Sequence, residues 1–153
     1  MKQAGDDAII IKDLIKKFGT FTAVDNISFS VKKGEVFGFL GANGAGKTTA
    51  IRMICGLLEP TSGDIRVGGI SVREAPGKVK QHIGYMSQKF SLYTDLSPGE
   101  NMDFFGNIYG VPMQVIRGKK QKLADRLELP SLGRIKTADL PMGFKQRLGL
   151  ACA

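Results

Sequence analysis

The sequence is 153 residues long, with 42% hydrophobic and 24% charged residues: one domain's worth of chain, with apolar material enough for a core. No apolar run approaches the roughly 18 residues needed to cross a bilayer, and the polar opening Met1–Asp7 argues against a secretory signal, so a cytosolic protein is expected. The net charge of +8 is spread over Lys16–Lys17, Lys32–Lys33, Arg117 to Lys122, Arg134, Lys136, Lys145 and Arg147; without interleaved aromatics it reads as a solvated face, not a nucleic-acid reader.

In chain order, Ala8–Ile11 reads as a strand, followed by Asp13–Phe18 and a turn at Gly19. Ile27–Val31 alternates apolar and polar residues as a half-buried strand does, and Lys32-Lys33-Gly34 turns the chain. Glu35–Leu40 is nearly continuous in apolar residues, the pattern of a strand buried on both faces. Thr48–Leu58 carries helical spacing, with Pro60–Gly63 as its stop. Asp64–Val67 is an alternating strand ended by Gly68-Gly69, and His82–Met86 is a further strand candidate. Ser97-Pro98-Gly99-Glu100 has the form of a capping box with proline at the first helical position. A helix through Asn101–Tyr109, closed by Gly110, follows it. A second helix is predicted over Met113–Leu129, weakened by Gly118, and Leu140–Ala153 opens another. Cys55 and Cys152 have no CxxC partner and read as free thiols, and His82, at a strand entrance, reads as structural. The whole is an α/β protein with a mixed sheet.

One segment carries chemistry. Gly41-Ala42-Asn43-Gly44-Ala45-Gly46-Lys47-Thr48, followed by Thr49, fits G-x-x-x-x-G-K-[ST] at every fixed position. Glycines let the backbone wrap so that successive N–H groups point at phosphate oxygens. Lys47 supplies a full positive charge for the β- and γ-phosphates, Thr48 a hydroxyl for Mg²⁺, and the helix that begins there its positive dipole end. ATP and Mg²⁺ are the expected ligands. The loop names a ligand and leaves the task open, because kinases, GTPases, helicases and transport ATPases all use it.

The surrounding residues narrow the choice. The sequence resembles the nucleotide-binding subunit of ATP-binding-cassette (ABC) transporters over essentially its whole length. Gly41–Thr49 resembles the family's Walker A loop. Phe18 falls where the family places an aromatic that stacks on adenine; an ordinary core phenylalanine is the alternative. Leu57–Gly63 resembles the stretch after the Walker A helix, and Ile83–Gln88 the approach to the Q-loop, with Gln88 as the glutamine that orients water and Mg²⁺ and touches the membrane subunit. Leu92–Ser97 and Glu100-Asn101 resemble the segment behind it. Leu140-Pro141-Met142-Gly143-Phe144 stands where the family has Leu-Ser-Gly-Gly-Gln, with Lys145–Leu148 as the familiar tail. Pro141 brings neither hydroxyl nor N–H and Met142 adds bulk, so of the donors that reach a partner's γ-phosphate Gly143 is the one retained.

The resemblance implies a P-loop NTPase of ABC type: an N-terminal antiparallel β-subdomain, part of a RecA-like core and a helical subdomain. Residues 1–88 would hold the first two and 89–153 the helical part. A second apolar strand ending in Asp, the catalytic Glu and the switch His do not occur before Ala153, so an incomplete domain is expected, binding phosphates but not hydrolysing ATP alone. Missing sheet neighbours would leave apolar surface exposed around Val36–Leu40. The implied partners are a second nucleotide-binding domain, head to tail, and a transmembrane permease at the inner face of the cell membrane, and the details look closest to multidrug or ABC-2-type exporters. Alternatives are a soluble ABC-type ATPase acting on ribosomes or nucleic acid, a small-molecule P-loop kinase, and a degenerate half-site that binds nucleotide without hydrolysing it.

Overall fold

Runs of isoleucine and alternating polar residues build the first two strands, β1 (Asp7–Phe18) and β2 (Phe21–Lys32), joined by the tight Gly19-Thr20 turn. The computed structural model describes residues 6–87, 92–130, 132, 133 and 135–153, in two compact units, Met1–Ile83 and Gly84–Ala153.

In the first unit β3 (Ser62–Val67) and β4 (Ile70–Ser71) complete an antiparallel sheet of order β2-β1-β3-β4. β1 does not alternate throughout. A bulge at Asp13, in the left-handed region at φ 48°, brings both Ile11 and Leu14 onto the buried face. Its cost is offset by a bond from the Asp13 amide to Ser28 Oγ at 2.7 Å. That face, with Val24, Ile65 and Val67, packs against Ala50 and Met53 of α1 (Lys47–Ile54) and Val79 of α2 (Pro76–Lys80). α1 is shorter than its apolar spacing suggests. Gly56 takes a left-handed φ of 65°, its amide bonds the Met53 carbonyl at 3.0 Å, and the Leu57 amide bonds Arg52 at 2.9 Å. This paired glycine stop ends the helix before Leu57 and Leu58 can join it.

Two predicted strands are absent. Glu35–Leu40 has no regular structure, and among the described residues no ladder bond reaches 36–40. Val36 and Leu40 are 99% and 94% exposed, so the expected apolar surface is present. The run is tethered through side chains instead: Phe37 stacks on Phe29 of β2 at 5.1 Å, with Phe39 beside both. Without partner strands a double-sided apolar pattern has nothing to pair with. Residues 83–87 likewise form no strand, and His82 sits in the turn after α2, its Nδ1–H donating to the Lys78 carbonyl at 2.8 Å. α2 itself was missing from the sequence expectations, although Pro76 opens it at the first helical position.

The second unit is helical: α3 (Pro98–Ile108), α4 (Met113–Arg126), a 3₁₀ turn at Thr137–Asp139 and α5 (Met142–Cys152). Met102, Leu140 and Leu148 form its core. α4 stops three residues before the expected Leu129, because Glu128 turns left-handed at φ 51°. Arg147 steadies that corner, bonding Glu128 at 2.8 Å and the Leu127 carbonyl at 3.2 Å. Asn101, fully buried, donates to the Tyr93 and Ser97 carbonyls and to Thr137 Oγ1 and accepts from the Tyr93 amide, so one side chain ties three segments together.

Candidate nucleotide-phosphate site

The phosphate loop is built by glycines at two left-handed positions, Gly44 at φ 85° and Gly46 at φ 80°. Gly46 is required twice over, since a Cβ there would also run into the Ala23 carbonyl of β2. The loop is thus pressed against the sheet at its end, and the Ala45 amide closes a turn onto the Ala42 carbonyl at 3.2 Å. Gly41 and Asn43 lie on its exposed arm.

Gly46 is the N-cap of α1, and no side chain caps the helix. The first amide to find an intrahelical partner is that of Ala50, bonded to the Gly46 carbonyl at 2.9 Å. No acid lies in the first turn. The amides of Lys47, Thr48 and Thr49 therefore stand at a helix start with positive partial charge and no acid in their own turn to neutralise it. Lys47 adds its ammonium, which bends back over the loop to the carbonyls of Gly41 (2.5 Å) and Ala42 (2.6 Å). These two acceptors were not foreseen from sequence; the fixed spacing from glycine to lysine is the signal that holds them. Thr48 is exposed, while Thr49 is half-buried.

The donor set suits a polyphosphate: clustered amides and one ammonium, with no acid in the first turn of the helix. It also suits Mg²⁺ held mainly by phosphate oxygens and water, since Thr48 offers a hydroxyl and no group of three or more metal-ligating side chains occurs among the described residues. When bound, the metal would neutralise phosphate charge. Gln88, the other expected ligand, lies outside the described residues.

Phe18 is 50% exposed at the end of β1, so it is no core residue. Lys16, two residues earlier on the strand, places its ammonium 5.1 Å from the Phe18 ring centroid. In the second unit, Gly143 lies in the first turn of α5, which has Pro141 as N-cap, no side-chain cap and no acid in its first turn. A Cβ at Gly143 would meet nothing within 4 Å. Packing within the chain thus does not demand glycine there.

The sequence profile of the ABC transporter family matches residues 24–153. The chain is 48% identical over 149 residues to the probable multidrug ABC transporter ATP-binding protein YbhF of Escherichia coli strain K12, covering 97% of this chain and 26% of that one. It is 38% identical over 142 residues to the linearmycin resistance ATP-binding protein LnrL of Bacillus subtilis strain 168, covering 93% and 46%. The solved structure of cbiO1 from Clostridium perfringens, part of the ABC transporter complex cbiONQ, superposes with a TM-score of 0.84 at 26% identity, over 96% of this chain and 61% of that one. The chain thus spans about a quarter to a half of the length of these two curated relatives.

Proposed function

As a member of the ABC transporter family, this chain, we propose, binds Mg²⁺-ATP through the loop Gly41–Thr49 and supplies part of the ATPase that energises export across a membrane. The observation that carries the reading is the open start of α1: two left-handed glycines, an uncapped first turn without acids, and the Lys47 ammonium on the same loop. In this reading the amides from Asn43 to Thr49 cradle the phosphates, Lys47 transfers its bonds from the loop carbonyls to phosphate oxygens, Thr48 meets the metal and Phe18 stacks on the base. Gln88 positions the metal and the attacking water, and Gly143 gives its amide to nucleotide held by a second nucleotide-binding domain.

Export is supported by the names of the relatives, one a probable multidrug transporter component and the other a linearmycin resistance protein. The partners proposed are a head-to-tail second domain and a transmembrane permease, at the inner face of the cell membrane. No helix among the described residues is long and apolar enough to cross one. Residues 1–88 serve as β-subdomain and phosphate-loop core and 89–153 as helical subdomain. Hydrolysis is assigned to the whole protein, with its catalytic carboxylate outside this chain.

A second reading, a half-site that binds without hydrolysing, is favoured by α5: Pro141 has no N–H to give, and Met142 is 62% exposed at the helix start. Restoring Pro141→Ser with Met142→Gly in the whole protein raises ATPase activity under that reading and leaves it unchanged under the first.

Calorimetric titration of the chain with Mg²⁺-ATP, inorganic tripolyphosphate and AMP tests the proposal. Tripolyphosphate binds and AMP is weaker than ATP by on the order of 100-fold, because the charge-assisted contacts are to the outer phosphates. Equal affinity for AMP and ATP contradicts it.

A further inference from the structure

The side chain of Lys16 makes two contacts that the phosphate loop does not explain. Its ammonium lies over the Phe18 ring at 5.1 Å and donates to the Glu59 carbonyl at 2.7 Å. Residues two apart on a strand share a face, which accounts for the first contact. The second is long-range and belongs to a seam. The Thr61 amide bonds the Ile15 carbonyl at 2.9 Å, and the Lys17 amide bonds Thr61 Oγ1 at 2.9 Å. Glu59–Thr61 is the strap leaving α1, the helix whose other end carries the phosphate loop.

From this geometry we infer that Lys16 is a positioning residue for nucleotide binding: pinned to the Glu59 carbonyl, it covers one face of Phe18 and leaves the other face to a nucleobase. The inference rests on the reading of Phe18 as a base platform. Three physical effects follow. A half-exposed phenylalanine on a strand end has rotamer freedom, and a cation over one face removes part of it before a base arrives. The cation draws ring electron density toward itself, so the opposite face repels the electron-rich base less. The bond to Glu59 refers the ring's position to the strap that leaves α1, so base platform and phosphate helix share one frame. A bare exposed aromatic has none of these. Lys17, the neighbouring cation, makes neither contact among those observed.

The experiment compares affinities of the full chain for Mg²⁺-ATP and Mg²⁺-tripolyphosphate in Lys16→Gln, Lys16→Arg and Phe18→Ala variants. Lys16→Gln weakens ATP about 2- to 5-fold, the range of one cation–π contact at an exposed site. Tripolyphosphate is unaffected, and Lys16→Arg retains most of the preference because guanidinium also stacks on aromatic faces. If Lys16→Gln weakens both ligands equally, Lys16 is merely structural and the inference fails. It fails too if ATP affinity is unchanged while Phe18→Ala lowers it, an outcome that leaves the Phe18 reading intact. If Phe18→Ala does not change the ATP-to-tripolyphosphate ratio, the platform reading falls and this inference with it. A ligand-free readout stands beside these: the ring current of Phe18 shifts the Lys16 ε-methylene protons upfield in the NMR spectrum, and Phe18→Ala removes the shift. Absence of that shift in the parent chain overturns the geometry.

Discussion

Two helix starts in this molecule solve the same problem in opposite ways. At α3, Ser97 accepts from the Glu100 amide at 3.3 Å while Glu100 takes the Ser97 amide and hydroxyl, each at 2.7 Å, and Pro98 removes one donor outright. The orphan donors are consumed locally and an acid answers the dipole. At α1 nothing of the kind happens: the N-cap is a glycine, the first turn holds no acid, and the nearest charge is a lysine. A closed helix start stabilises its own unit. An open one leaves its amides without a side-chain cap, as the proposed function requires, and its geometry is enforced from behind, as the Ala23 carbonyl does for Gly46.

Substitutions at the two starts sharpen the contrast. Gly46→Ala has the larger effect: a left-handed φ and a clash with β2 together destabilise the first unit by about 3 kcal/mol, measured by denaturant titration, with phosphate binding lost as well. A variant as stable as the parent would show that the loop is free to move off the sheet. Ser97→Ala costs about 1 kcal/mol in the same titration and leaves ATP affinity alone; a change in ATP affinity would blur the distinction between the two starts. The smallest effect is in acid. Hydrogen bonds from the Ser97 hydroxyl and amide hold the Glu100 carboxyl below its ordinary value of 4.5. A depressed folded value means that this contribution is present above the ordinary range and disappears as pH falls through the folded one. Circular dichroism of the chain from pH 6 downward should therefore show a component of acid destabilisation that Glu100→Gln removes. An identical pH profile in that variant would exclude the effect.

The contrast also explains what was legible in the sequence. The Gly-rich turn before α1, the capping box and the Gly68-Gly69 turn are written in short stretches whose chemistry is local, and each backbone feature stands where the sequence places it. Elements set by distant partners were not legible. The bulge at Asp13 depends on Ser28, fifteen residues away. The apolar run Val36–Leu40 has a strand's composition but needs neighbours to become one. Helix ends lie between these cases. Gly56 ends α1 inside the stretch Thr48–Leu58 whose spacing reads as helical, whereas at Glu128 a residue that rarely turns left-handed does so, with Arg147 bonded to it. Phe18 was singled out through the family resemblance, whereas the contacts of Lys16 with its ring and with Glu59 come only from the fold, in which β1 runs past the predicted Ala8–Ile11 to Phe18.

The proposed function depends most on α1's open start acting as a cup for polyphosphate. Titration of Mg²⁺-ATP into the chain carrying both Lys47→Ala and Thr48→Ala measures that most directly. Loss of the ammonium and of the Thr48 hydroxyl lowers affinity by on the order of 100-fold or more, with the sheet and its circular dichroism unchanged. An affinity equal to the parent's, in a folded double variant, would mean that nucleotide is held elsewhere or not by this loop.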